Sequence, residues 1–452
     1  MKWRKVMAGA LATTMVISTL AACGSRDNGK ETTAAGGSKG TENSTQGTDD
    51  TTANGDKLSG SLTVTTWDNE TSPQFRVVIE AFKKKYPDVE IKVNDTSADE
   101  YNNSLGVSLS AAQSDPDIIW VKDMGSLLQM ADKKQLLSID DFIKKDGFDT
   151  SVYKGAFEQL QYNDTSYALP YRSDWYVLYY NKDLFDAQGV EYPSNDMTWD
   201  EYYDLAAKMT SGEGSNKVFG THNHTWQALV TNWAVQDGEH TVVEKDYSFL
   251  SDWYKDALEL QKNGYIQDYT TLKTANLHYS SVFKNQQTAM MPMGTWFIAT
   301  LMQAQADGEI DFNWGVATIP HPDNTEAGYT VGSITPVAIS AYTDEPELSW
   351  EFLKFASSEE AANILAKEGV FTNIQTDETL KTITTAEFFP QEESNVEALK
   401  YTNFVFDRPI DPKIEEIKKV LEEEHDLIMI GERDVDEGIA EIQRRVAEIK
   451  GW

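Results

Sequence analysis

From Leu62 onward short β-rich runs alternate with longer helical ones, and this alternation restricts the fold more than any other feature of the chain. Residues 62–66 read as a strand; Ser72-Pro73 then supplies an N-cap and a first-turn proline for a helix carrying Phe75, Val78, Ile79 and Phe82 on one face. Tyr86-Pro87 stops that helix. Val89, Ile91 and Val93 alternate as a second strand, residues 99–113 form a second helix, 117–121 a third strand and 124–135 a third helix. A βαβαβα order implies a parallel, doubly wound sheet, whose ligands sit beyond the carboxyl ends of the strands. That rule singles out Trp67, Asp68, Asn69 and Glu70 after the first strand, and Trp120, Lys122 and Asp123 at the end of the third.

A second α/β unit begins after Leu169-Pro170-Tyr171. Residues 176–180 are aromatic and strand-like, and Thr198-Trp199-Asp200-Glu201 is a capping box opening a helix that runs to about Met209. Strands are expected at 218–221, 288–293 and 313–318, and helices at 226–234 and 251–263. From about Pro412 the tail is helical, with Ile414, Ile417, Val420 and Leu421 on one face. No repeat of solenoid or propeller period is present.

The chain's 452 residues predict two or three domains. With 39 Lys and Arg against 73 Asp and Glu, the formal charge of −34 excludes nucleic acid as a partner and excludes attachment to anionic lipid by charge alone. Cys23 is the only cysteine, so intramolecular disulfides and cysteine-rich metal sites are excluded too. Lys2, Arg4 and Lys5 precede an apolar stretch over 6–20, too short to span a bilayer and suited to a secretory signal. It ends in Leu20-Ala21-Ala22-Cys23-Gly24, which resembles the lipobox of bacterial lipoproteins, where the cysteine is diacylated and becomes the first mature residue. Residues 1–22 are thus expected to be the signal peptide. Residues 24–56 are dominated by Gly, Ser, Thr, Asn and Asp and lack Leu, Ile, Val, Met and aromatics, so 23–56 reads as a lipidated cysteine with a disordered tether. Two acyl chains suffice for stable anchoring on the extracytoplasmic face of the cell membrane.

Several stretches beyond this point resemble family 1 bacterial extracellular solute-binding proteins, the maltose-binding-protein-like sugar-binding lipoproteins of ABC importers. They are Asp115-Pro116-Asp117-Ile118, Ala168-Leu169-Pro170, Tyr179-Tyr180-Asn181-Lys182-Asp183-Leu184-Phe185, Gly294-Thr295-Trp296, and Ser349-Trp350-Glu351-Phe352-Leu353-Lys354-Phe355. Gln286 stands where the family often has Gly, and Gln tightens a turn less readily. The resemblance implies a two-lobe, periplasmic-binding-protein-like α/β fold of type II, each lobe a doubly wound sheet flanked by helices with the ligand cleft between them. Lobe one is expected to combine 57–168 with 330–368, and lobe two 169–329 with 369–452. Hinge crossings are expected at Pro170 and Tyr171, at Gly332 and Ser333, and near 370–373. The family implies a monomer that carries sugar or oligosaccharide to ABC transporter permease subunits and has no catalytic residue, cofactor or metal.

A pyranose offers an apolar C–H face and a rim of hydroxyls, so its site needs flat aromatic platforms beside a few convergent polar groups. Trp67, Trp120, Trp175, Trp226, Trp233 and Trp296 are the stacking candidates, and Asp68, Glu70, Asp123, Arg172 and Asp174 the polar ones. Trp199 and Trp350 are assigned to helix cores. His222 and His224 are paired in sequence but lack a third nearby ligand, and are read as surface or loop residues rather than a metal site. The alternatives are a polyamine-binding protein, favoured by the acidic charge but weakened by the resemblance to sugar binders, and a surface-anchored glycoside hydrolase, for which carboxylate pairs carry no information because 73 acids allow almost any spacing.

Overall fold

The computed structural model describes residues 58–452 except 71, 113, 114, 123 and 154. The expected signal peptide, Cys23 and the tether lie outside the described residues, as does Asp123.

Eleven strands are present among the described residues: β1 (Gly60–Trp67), β2 (Val89–Thr96), β3 (Ile118–Trp120), β4 (Gln161–Tyr162), β5 (Thr165–Ser166), β6 (Ala168–Asn181), β7 (Phe219–Thr221), β8 (Thr288–Gly294), β9 (Trp314–Thr318), β10 (Tyr329–Ile339) and β11 (Asn403–Phe406). Strands β4 and β5 pair only with each other, and the rest form one sheet in the order β2-β1-β3-β10-β6-β8-β7, with β11 beside β10 and β9 beside β6. The opening β1, β2 and β3 are parallel as expected, whereas β10 runs antiparallel to both β3 and β6. Helix Pro73–Lys85 buries Phe75, Val78, Ile79 and Phe82, the face its spacing marks out. The Thr198 capping box forms: its hydroxyl accepts from the Glu201 N–H, and the Glu201 carboxylate accepts from the Thr198 N–H. The C-terminal segment forms two helices, Ile414–Met429 and Val435–Lys450, and Gly431 turns between them with a φ of 79°.

Strand β6 is longer than its sequence suggests. Its first half pairs with β10 through Gly332↔Trp175 and Ser333↔Asp174, and its second half pairs with β8 and β9 from Tyr176 onward. Strand β10 likewise passes from β11, beside Tyr329–Gly332, to β3, beside Val337–Ile339. These two strands run from one apolar cluster to the next. One contains Leu62, Val64, Phe75, Trp120 and Leu169 with Val337 and Phe352. Beyond Asp174 the side chains of β6 alternate, placing Tyr176, Leu178 and Tyr180 in one cluster and Trp175, Val177 and Tyr179 in another. Pro170 and Tyr171 lie in the first half of β6, where Tyr171 is buried and its hydroxyl donates to the Gln74 carbonyl. Gly332 permits a close approach, since a Cβ there would stand 2.2 Å from the Asp174 carbonyl oxygen and 2.5 Å from the Phe404 ring. The third stretch near 370–373 also meets β6, with an Arg172↔Thr372 bridge and the Asn373 N–H donating to the Tyr171 carbonyl. Gln286 adopts a φ of 55°, the left-handed conformation for which Gly is better suited.

Strand β7 is set by Gly220, where a Cβ would lie 1.8 Å from the Ala206 carbonyl oxygen of the helix beneath. Gly220→Ala is therefore expected to destabilise the protein by about 2 kcal/mol or more through forced separation of strand and helix. Denaturant titration checks this, and an unchanged midpoint would show that the helix yields freely.

Candidate functional site

Strand β6 places Arg172 and Asp174 on the same face, two residues apart. Arg172 Nε lies 2.8 Å from Asp174 Oδ2, and both side chains are buried. The other carboxylate oxygen accepts a 3.0 Å hydrogen bond from the Thr295 hydroxyl. Thr295 is itself held to β6, its N–H donating to the Trp175 carbonyl at 2.9 Å. Burial raises the Asp174 carboxyl above its ordinary range, opposed by Arg172 and by the Thr295 bond. Arg172 Nη1 has no protein partner.

Thr295 leads into helix Trp296–Ala306 at the end of β8, so Trp296 stands at the helix entrance and is half-buried. Its indole N–H donates to the Tyr279 hydroxyl at 3.2 Å. Trp226, also half-buried, has its ring centroid 5.5 Å from Tyr279 and 6.5 Å from Trp296. Tyr176 meets Trp296 edge-on at 5.5 Å. Together these rings form an aromatic corner beside the Arg172–Asp174 pair.

The loop after β7 carries His222 and His224 into this corner. His224 lies 4.6 Å from Trp226, 5.7 Å from His222 and 5.8 Å from His278. Burial pushes His222 down to about 3, with His278 acting in the same direction. It holds His224 well below the ordinary imidazole range as well. Both rings are neutral near pH 7, and a neutral imidazole offers one donor and one acceptor. Both ring nitrogens of His222 and Nδ1 of His224 lack protein partners. Desolvation lowers the His278 pKa as well, although part of the side chain reaches solvent, and Asp68 and Asp99 pull the other way.

Asp68 terminates β1 with a φ of 51°, and one carboxylate oxygen accepts from the Ala98 N–H at 3.0 Å. Burial raises its pKa, while that hydrogen bond, His278 and Lys122 lower it. Asp68, Arg172 and Asp174 all act electrostatically on Tyr279. The end of β1, the middle of β6, the loop after β7 and the end of β8 therefore share one charged and aromatic neighbourhood. Among the described residues no group of three or more His, Cys, Asp or Glu is arranged to hold a metal ion.

Of the residues expected from sequence, Asp68, Arg172, Asp174, Trp226 and Trp296 come together here. The other tryptophans pack elsewhere. Trp67 sits edge-on between Phe75 and Tyr101, at 4.6 and 4.8 Å. Trp120 is fully enclosed by Phe75, Tyr171 and Phe352. Trp233 is buried between Tyr176 and Trp199, and Trp175 packs on Phe371 and Tyr401. Glu70 is exposed at the turn after β1. His222 and His224 lie on a loop, but the expectation of surface histidines is corrected by their burial. Tyr279 and His278 had no sequence signal, because their approach depends on the packing of helix Tyr279–Lys284 against β8. Trp199 and Trp350 are buried within helices as expected.

Residues 67–363 match the family model described as bacterial extracellular solute-binding protein. A sugar transporter from Rhizobium etli, solved in an open conformation, is 35% identical; the match covers 86% of this chain and 99% of that one, with a TM-score of 0.71. An ABC substrate-binding protein from Listeria monocytogenes, solved with cycloalternan, is 22% identical over 87% and 100% of the two chains, with a TM-score of 0.74. A receptor from Streptomyces glaucescens, solved unliganded and with acarbose, is 19% identical over 87% and 98%, with a TM-score of 0.71. The last two likenesses concern the fold.

Proposed function

The chain belongs to the bacterial extracellular solute-binding protein family, and on that premise we propose that it binds a neutral carbohydrate, an oligosaccharide by preference, and delivers it to the permease of an ABC transporter. The observation that carries this reading is the corner of Trp226, Trp296 and Tyr279 beside a self-neutralised Arg172–Asp174 pair and uncharged histidines. Aromatic faces suit pyranose C–H surfaces, and the pair and imidazoles suit hydroxyls, which donate and accept at once. A polyamine would need unneutralised carboxylates, whereas the Asp174 carboxylate is matched by the Arg172 guanidinium. The sugar-transporter relative at 35% identity supports the same substrate class. We assign the protein a binding role without turnover; hydrolysis of an oligosaccharide, abolished by substituting one carboxylate of the corner, would overturn that assignment.

The proposed lobes are 57–168 with 330–368, and 169–329 with 369–452. Support comes from the meeting of β6, β10 and the 370–373 stretch near Asp174, where the chain passes between the two proposed lobes. Ligand touching both lobes binds the closed form more tightly and shifts the population toward it.

Trp296→Ala is expected to weaken sugar binding by about 10- to 100-fold, the usual cost of removing a central aromatic anchor. Trp296→Phe restores part of it. Calorimetric titration of both variants checks this, and unaltered affinity in Trp296→Ala would remove the corner from the binding site.

For location, the proposal is a lipid anchor at Cys23 on the extracytoplasmic face of the membrane, resting on the lipobox-like residues 20–24. Among the described residues no helix is long and apolar enough to cross a membrane. Cys23→Ala is expected to move the protein from the membrane fraction into the medium or to leave it unprocessed. Unchanged fractionation would contradict the anchor.

A further inference from the structure

We propose that a second small-molecule site, separate from the aromatic corner, lies against the opposite face of β6 and takes a neutral polyhydroxylated ring the size of one monosaccharide. A cavity of about 290 Å³ opens there, near the lower limit of the ~300–1,000 Å³ usual for small-molecule sites. Alternation along the strand sets its position: Asp174 faces Arg172 and Thr295, so its neighbour Trp175 faces the other way, into this cavity's wall. Phe371 and Tyr401 complete that wall, with ring centroids 4.8 and 5.1 Å from Trp175 and planes at 70° and 66° to it. Trp175 and Phe371 are the buried backing of that wall, and Tyr401 is its exposed ring.

The polar lining suits a ligand without net charge. Asp377 and Lys400 line the cavity with opposite signs, and its other polar side chains, Thr372, Gln375, Thr376 and Thr379, are uncharged. Mixed aromatic and neutral polar walls match a sugar or alditol better than an ion or a purely apolar molecule. The occupant would also touch the elements that carry the first site, since Thr372 bridges to Arg172 and Trp175 adjoins Asp174. This proposal stands on the cavity and does not require that the aromatic corner bind sugar.

The test follows the indole N–H signals of the ¹⁵N-labelled full chain during titration with D-glucose, D-galactose, D-mannose and mannitol. Trp175 and Trp296 signals are assigned from the Trp175→Phe and Trp296→Phe variants. The expected result is a saturable Trp175 shift for at least one probe that persists in Trp296→Ala and disappears in Lys400→Trp, which fills the cavity mouth from an exposed position. A Trp175 shift lost in Trp296→Ala would mean that Trp175 only reports occupation of the corner, and would overturn the proposal. No Trp175 shift with any probe would overturn it as well. Failure of the corner to bind sugar is read separately, as a silent Trp296 signal.

Discussion

Acidification from pH 7 to pH 5 is expected to cost the fold roughly 3–4 kcal/mol through His222 and His425 alone. Burial pushes each ring down to about 3 in the folded protein, against an ordinary value near 6.5. The unfolded chain therefore binds more protons throughout the window between those values, and stability rises with pH across it. The stabilisation is fully present above pH 6.5 and is lost progressively as pH falls toward 3. Each histidine contributes on the order of 2 kcal/mol of that loss by pH 5. His224, also held low by burial, acts in the same direction. Asp256 opposes it: burial and the neighbouring acids Asp200, Asp252 and Glu259 raise its carboxyl to about 6, so it takes up a proton in the fold and offsets part of the loss. Denaturant titrations at pH 7, 6 and 5 read the net slope. His425→Gln, which can keep the contact to the Tyr254 hydroxyl, is expected to flatten the slope, and a profile equally steep in that variant would show that His425 is not the group responsible.

Asp174→Ala is expected to cost about 3–5 kcal/mol, because it strands the Arg172 charge in the interior. The Thr295 hydroxyl loses its acceptor in the same step. The double variant Arg172→Met with Asp174→Leu is expected to recover most of that stability, since removing both charges also removes the cost of desolvating them. Sugar affinity is not expected to return with it, because the polar rim beside Trp296 is gone. Stability and affinity thus separate in one pair of variants. A double variant no more stable than Asp174→Ala would mean that shape rather than charge holds this part of β6.

Much of the architecture is legible in the sequence because local signals agree with the tertiary outcome. Phe75, Val78, Ile79 and Phe82 repeat at helical spacing and are all buried, and the Thr198–Glu201 box marks the helix start that forms. The full length of β6 is not legible, since Arg172, Ser173 and Asp174 read as a polar break. Their burial depends on β10 arriving from more than a hundred residues away to pair with them. For the site, strand-end logic reaches Asp68, and the position beside an expected hinge reaches Arg172 and Asp174. It fails for Trp120, although an Ile118-Ile119-Trp120 run is itself a sign of a fully buried strand. Trp67 follows a strand end as the rule requires, but Phe75 from the next helix and Tyr101 close over it. His278 and Tyr279 are unreadable for the opposite reason: nothing local distinguishes them, and only packing brings them to His224 and Trp226.

The most direct test of the carbohydrate reading is a thermal-shift screen of residues 57–452 against mono- and oligosaccharides, with polyamines and divalent metal ions alongside. A ligand present at 100 times its Kd adds about 2.7 kcal/mol to the folded state, enough to move the melting temperature visibly. A shift confined to one or a few sugars, and lost in Trp296→Ala, is the predicted result. A flat response to every sugar together with a shift from a polyamine or a metal ion would contradict it, leaving the fold intact and the substrate class wrong.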